Sequence, residues 1–115
     1  MHELGIAAAL LDAIRVEVAK HPGGRASRVG IRIGEISGVD PDALGFSFEC
    51  LLSDSGLAPL QLEIETCPRI QKCSSCGHRF DVVDLDTRCP SCAERLTECV
   101  GGTELDLAWL EVERP

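Results

Sequence analysis

The sequence predicts an α+β fold: two helices packed on a three-stranded mixed sheet, with a cysteine-rich lobe inserted between two of the sheet strands. Three observations carry this. Apolar residues recur at three- and four-residue steps in two segments and at two-residue steps in three others. Two CxxC pairs, Cys73-Ser-Ser-Cys76 and Cys89-Pro-Ser-Cys92, stand twelve residues apart in the stretch before the last alternating segment. That last segment has no neighbour in sequence to pair with, and two strands under two helices make a marginal sheet. Its economical place is back in the first sheet.

Leu4, Ala8, Leu11 and Val18, with Ile6, Leu10 and Ile14, put a wide apolar face on one side of a helix over about 3–20. Glu3 suits its positive N-terminal end and Lys20 and His21 its negative C-terminal end; Pro22-Gly23-Gly24 stops it. Val29, Ile31 and Ile33 then alternate with Gly30, Arg32 and Gly34 as a half-buried strand over about 27–36. Asp40-Pro41 starts a second helix, a cap residue followed by proline at the first helical position, and Ser55-Gly56 ends it near 54. Its apolar face is Leu44, Phe48, Leu51 and Leu52, with Cys50 beside it as a small core residue. Leu60, Leu62 and Ile64 alternate with Gln61, Glu63 and Glu65 as a second strand. After Gly101-Gly102, Leu105, Leu107 and Trp109 alternate, and the phase then moves to Leu110 and Val112, which implies a bulge or twist.

The paired CxxC spacing has a direct chemical meaning. Two thiolates two residues apart turn toward one ion, and two such turns supply the four sulfurs of a closed tetrahedral zinc site. Gly77 and Pro90 suit the tight turns involved. Cys73, Cys76, Cys89 and Cys92 are therefore the expected zinc ligands, and the lobe reads as a zinc ribbon. A segment of about 29 residues with few large apolar side chains depends on metal to fold. His78, beside the first knuckle, reads as a residue that hydrogen-bonds a sulfur or faces solvent. Cys67 and Cys99 flank the lobe and read as structural filler or as thiols open to accidental oxidation.

Composition narrows the function classes. The 115 residues allow one domain, or a small domain with a metal-stabilised appendage. Three Phe, one Trp and no Tyr leave no base-stacking surface, and the formal net charge of −8 works against phosphate backbones, so no nucleic-acid partner is expected. From seven cysteines, an odd number, and an opening that reads as neither basic nor a long apolar leader, a cytoplasmic location is expected. No apolar run approaches the roughly 18 residues of a membrane span, so no membrane partner is expected. No Ser-His-Asp set, phosphate-binding glycine loop or HExxH helix is present, and the chain reads as a non-enzyme. Ser37-Gly38-Val39-Asp40 reads as a loop and helix cap.

His2 lies directly behind the first residue. A histidine there is too bulky a neighbour for the usual removal of methionine, so the Met1 amine is expected to stay. The amine, the His2 amide and the His2 imidazole then form fused chelate rings about one ion. Such nitrogen-rich planar coordination suits Ni(II) or Cu(II). The positive end of a helix disfavours a cation, an effect that deprotonated amides and the Glu3 carboxylate offset.

The opening Met1-His2-Glu3-Leu4, the run from Ile33-Gly34-Glu35-Ile36-Ser37-Gly38 through Val39-Asp40-Pro41-Asp42-Ala43-Leu44 to Gly45-Phe46-Ser47-Phe48-Glu49, the paired CxxC and the closing Glu104-Leu105 to Leu110-Glu111-Val112 stretch together resemble the HypA/HybF family. The resemblance spans essentially the whole chain. It implies a nickel metallochaperone that delivers Ni(II) to the large subunit of nickel-iron hydrogenase during maturation. The implied partners are a nickel-delivery GTPase of the hydrogenase maturation system, the hydrogenase large subunit and, in some organisms, urease accessory proteins. It also implies that Met1 through its amine, His2 and Glu3 hold transient nickel, and that the four knuckle cysteines hold structural zinc. The expected organisation is a nickel-binding α/β domain of 1–69 plus 99–115 and an inserted zinc-binding domain of 70–98. Two other classes share the knuckles: a zinc-ribbon nucleic-acid-binding module, which acidity opposes, and an iron-tetrathiolate electron carrier, which a red colour would reveal.

Overall fold

The structure, a computed structural model, describes residues 2–114. Backbone at His2 is extended and its carbonyl accepts the Ile6 N–H at 3.1 Å, so the first helix, α1, runs Glu3–Ala19. Its buried stripe is Ile6, Ala7, Leu10, Leu11 and Ile14, with Val18 half-buried against the same core. Leu4 and Ala8, expected on that face, are exposed, because Leu4 lies about a quarter-turn and Ala8 about a third of a turn from the centre of the stripe. The second helix, α2, runs Pro41–Leu52. Asp40 caps it, its carboxylate accepting the Asp42 N–H at 3.0 Å. Leu44, Phe48 and Leu52 bury one row at four-residue steps. Cys50 stands two residues from Phe48, on the far side of the helix, and is exposed; it is not a core residue.

Strand β1 (Arg25–Gly34) is the centre of a sheet ordered β2-β1-β6, with β2 at Gln61–Cys67 and β6 at Leu105–Glu113. It pairs parallel with β2, from Arg28 opposite Gln61 to Gly34 opposite Cys67, so α2 forms the crossover. It pairs antiparallel with β6, from Arg25 opposite Glu113 to Ile33 opposite Leu105. The last strand thus returns to the first sheet. Val29, Ile31 and Ile33 point inward and join both helices in one core with Ala26 and Leu60.

The phase shift in β6 is a bulge. Gly30 faces Trp109 but Ile31 faces Leu107, leaving Ala108 as the extra residue. Leu107 and Leu110 consequently both lean on the core, while Trp109 turns to the outer face. It does not share a face with Leu107, as simple alternation suggested. The indole lies across Gly30, where any Cβ would collide with it. Around it runs a charged outer face: Arg28 pairs with Glu63 and, at 3.5 Å, with Glu111, and stands 5.5 Å from the Trp109 ring centroid. Arg32 forks onto both carboxylate oxygens of Asp106 at 3.0 Å each.

Between β2 and β6 the chain builds a second antiparallel sheet, ordered β4-β3-β5, from β3 (Ile70–Cys73), β4 (Arg79–Asp81) and β5 (Thr97–Gly101). The two sheets meet at a tight junction. Gly34 N–H donates to Glu104 O (2.7 Å), Ile36 N–H to Gly102 O (2.8 Å) and Glu35 N–H to Cys67 O (2.8 Å), while the Glu35 carboxylate accepts the Arg69 N–H at 3.0 Å. Gly34 sits so close to the Gly102 backbone that no side chain fits between them. The molecule is elongated, 55 by 26 by 17 Å. Among the described residues no helix is long and apolar enough to cross a membrane.

Candidate functional site

Cys73 ends β3, and Cys76 follows it across a turn; Cys89 and Cys92 form a second turn in the loop between β4 and β5. The two turns have the same construction. Gly77 N–H donates to Cys73 O at 3.1 Å and Ala93 N–H to Cys89 O at 2.8 Å. Cys73 N–H donates to His78 O at 2.9 Å and Cys89 N–H to Glu94 O at 3.0 Å. Gly77 and Ala93 both adopt left-handed backbone, at φ 74° and 64°. Sequence reasoning found Gly77 by its residue type and missed Ala93, whose only signal is its place one residue after the second pair.

These turns bring all four sulfurs within 4.8 Å of one another. Cys73 Sγ lies 3.6 Å from Cys92 Sγ, and Cys76 Sγ 3.6 Å from Cys89 Sγ. Four sulfurs at tetrahedral zinc bond length are separated by about 3.8 Å, so donor type and spacing both fit the ion. Cys73 and Cys89 are buried, Cys76 and Cys92 exposed. Phe80 packs with the buried pair, and the exposed His78 ring stacks on Phe80 with centroids 6.1 Å apart. His78 therefore serves the knuckle through its backbone, not its imidazole.

The electrostatics are those of a site that waits for a cation. The Cys76 N–H, then the Ser75 N–H and the neighbouring thiols of Cys92 and Cys76, hold the Cys73 thiol down to about 7 against the effect of burial. At Cys92 the Glu94 N–H favours the thiolate, but the facing Cys73 sulfur, burial and the sulfurs of Cys76 and Cys89 outweigh it and push the thiol up to about 12. Cys76 is raised for the same reason, the pull of the His78 N–H being overcome by Cys89, burial and Cys73. The Cys73 sulfur ionises readily, whereas those of Cys76 and Cys92 resist until a cation joins them. Glu94 ties the two knuckles: its carboxylate accepts Ser75 Oγ at 2.9 Å and the Leu96 N–H at 3.0 Å.

At the other candidate site, His2 is exposed and its side chain makes no capping hydrogen bond, while Glu3 is half-buried as the first helical residue. Met1 lies outside the described residues. Among those described, the four cysteines are the only group of three or more His, Cys, Asp or Glu side chains spaced to share an ion. Cys67 closes β2 half-buried, where burial, then Glu104 and Glu65, push its thiol up. Cys99 is exposed on β5 with its thiol 3.3 Å from Gly101 O. Neither joins the four-sulfur cluster.

The family model described as hydrogenase/urease nickel incorporation, metallochaperone, hypA matches residues 1–112. A hydrogenase maturation factor HypA from Solidesulfovibrio magneticus is 39% identical over 118 residues, covering 98% of this chain and 100% of that protein. One from Geobacter metallireducens is 38% identical over 114 residues, again covering 98% and 100%. The solution structure of the Ni metallochaperone HypA from Helicobacter pylori superposes with a TM-score of 0.70 at 26% identity, with full coverage of both chains. A second HypA solution structure, at TM-score 0.76 and 24% identity over 100% and 98%, shares the fold.

Proposed function

The chain belongs to the HypA family of hydrogenase/urease nickel-incorporation metallochaperones, and from that premise we propose that Met1 through its amine, His2 and Glu3 hold the nickel, while Cys73, Cys76, Cys89 and Cys92 hold zinc. The protein acts in hydrogenase maturation, with nickel as cargo and zinc as a structural ion. The observation that carries the division of labour is the contrast between the two sites. Four sulfurs that complete a tetrahedron among themselves leave no position for exchange, as a structural zinc site requires. His2, by contrast, sits exposed at the mouth of α1 with its imidazole uncommitted to capping.

The physical logic of delivery follows from that openness. The His2 imidazole and amide, with the Met1 amine, offer nitrogen donors matched to planar nickel, and Glu3 supplies negative charge where the helix dipole is unfavourable to a cation. An incompletely enclosed site lets an acceptor's ligands replace these donors one at a time. When bound, zinc would fix the relative position of the two knuckles; the N–H groups of Ser75 and Cys76 orient the Cys73 sulfur at 3.3 and 3.4 Å.

We take the working units to be an α/β nickel-binding domain and an inserted zinc-binding domain; because β5 (Thr97–Gly101) pairs with β3 in the lobe sheet, the inserted unit runs from about 70 to 101, past the boundary at 98 that the sequence suggested. The partners are the nickel-delivery GTPase of the maturation system, the hydrogenase large subunit that receives nickel and, where urease is present, its accessory proteins. The protein transfers an ion without catalysing a covalent reaction, and it works in the cytoplasm, where its seven thiols, none in a disulfide, stay reduced. A peptide tag added before Met1 tests the site: nickel binding is expected to disappear while zinc content and the α/β fold persist. Retained nickel affinity in the tagged chain would refute the amine as a ligand.

A further inference from the structure

We propose that the outer stripe of α2, centred on Phe46, docks a basic, apolar segment of a partner protein. Helical spacing makes the stripe. Asp42, Phe46, Glu49 and Cys50 follow one another at three- and four-residue steps or one apart, all exposed, on the side of α2 away from the buried row Leu44, Phe48 and Leu52. Phe46 is 72% exposed, whereas Phe48 is 0% and Phe80 9%. A lone exposed ring is ordinary on a protein surface, but the electrostatic setting of this one is not. Glu49 lies in the last turn of α2, where the helix dipole disfavours an anion and no basic residue offsets it. An apolar surface that brings a cation relieves both features at once.

The chain from Ile33 to Pro68 holds seven acidic residues and no Lys, Arg or His. Asp42, Glu49 and Asp54 make no ion pair among the described residues. Bases on the adjoining elements are engaged elsewhere. Arg15 of α1 pairs with Asp12 at 3.1 Å and donates to Ser55 O at 3.1 Å, past the C-terminal end of α2, and Lys20 pairs with Glu17 at 3.0 Å. Arg69 directs its Nε to Gln71 in the lobe sheet at 3.4 Å. Arg25, Arg28 and Arg32 pair with Glu113, Glu63 and Asp106 on the sheet. The field at Phe46 is therefore negative, and its complement covers the ring with apolar side chains while setting Lys or Arg against Asp42 and Glu49. Those carboxylates are seven residues, or about 10 Å, apart along the helix, which fixes the spacing of the cations. A second copy would bring acid against acid, and nucleic acid or an anionic membrane would be repelled. Topology places the stripe near the terminus. The chain reverses from α1 into β1, and α2 is the crossover between the parallel β1 and β2, so both helices run opposite to β1 and in one direction. The contact of Arg15 with Ser55 joins their C-terminal halves, which leaves His2 and Asp42 at the same end of the sheet. A docked partner thus lies at the end proposed for nickel; only this last point rests on the nickel reading above.

The test uses the zinc-loaded, untagged full chain, with the purified maturation GTPase and the purified hydrogenase large-subunit precursor as two separate probes. Phe46→Ala and Glu49→Lys are compared with the parent. Both positions face away from the core, alanine is a good helix former, and lysine suits the last turn of a helix. Fold, zinc content and nickel titration are therefore expected to match the parent. Affinity for at least one probe is expected to fall about ten-fold or more in each variant, and the parent's affinity for that probe to weaken as salt is raised. Unchanged affinity of both variants for both probes overturns the docking site while leaving the nickel and zinc assignments intact. A loss in Phe46→Ala that Glu49→Lys does not reproduce overturns the basic character of the partner, and the proposal with it. Self-association of the parent that Phe46→Ala abolishes gives the stripe to a second copy and overturns the proposal, as does a parent that binds neither probe.

Discussion

Gly77 and Ala93 occupy the same place in the two metal knuckles: each adopts left-handed backbone and each donates its N–H to the carbonyl of the first cysteine of its pair, at 3.1 and 2.8 Å. Only Gly77 is of the residue type that this conformation favours. Ala93→Gly is expected to stabilise the zinc-loaded lobe by up to about 1 kcal/mol, the relief of the Cβ clash less the extra freedom of glycine in the unfolded chain. Gly77→Ala is expected to do the opposite. Resistance to a competing chelator, followed across the three proteins, checks the order Ala93→Gly above parent above Gly77→Ala.

The lone Trp109 makes a second experiment possible. Because it lies on the α/β sheet and not in the lobe, its fluorescence reports on one unit alone. Removing zinc is expected to unfold the lobe, seen as loss of protection of amides in 70–98, while Trp109 emission stays put. Simultaneous change in both signals would mean that the lobe is integral to the core.

Gly30→Ala drives a methyl group into the indole. The ring must leave its position, and its contact with Arg28 goes with it. A loss of about 1–3 kcal/mol in the α/β unit, with red-shifted Trp109 emission, is the expected result in chemical denaturation.

Zinc binding has a calculable pH direction. Cys76 and Cys92 are held as thiols well above neutrality and must shed protons to bind metal, so apparent zinc affinity rises with pH. Below about 7, Cys73 is protonated as well, and the dependence steepens. The sign within the metal-free lobe is split. The lowered Cys73 favours folding above its ordinary value of 9.0 and loses that contribution as pH falls through about 7; the raised Cys92 favours folding below 9.0 and loses its contribution as pH climbs toward about 12. Competition with a colorimetric chelator at several pH values checks the metal term; a flat affinity profile would contradict it.

Much of this architecture is legible in the chain because periodicity marks long elements well. The helices, β1, β2 and the return of β6 all follow from spacing, and Asp40-Pro41 marks the start of α2 by capping chemistry alone. The lobe sheet is not legible, since β3, β4 and β5 have four, three and five residues and their inward residues include cysteine and Gln71 in place of an apolar row. Trp109 misleads because a single bulged residue, Ala108, reverses which face follows it. Cys50 misleads because a small apolar residue two places from Phe48 looks like core until the helical turn is counted. Of the sites, the cysteines declare themselves by spacing, whereas the significance of His2 comes from resemblance to a family and from its position beside Met1.

The central claim is that nickel belongs at the N-terminus and zinc at the knuckles. Calorimetric titration of nickel into untagged, zinc-loaded protein, with the parent and His2→Ala chains side by side, tests it most directly. A saturable nickel site is expected in the parent and its loss in His2→Ala, with one zinc retained by both. Unchanged nickel affinity in His2→Ala would contradict it.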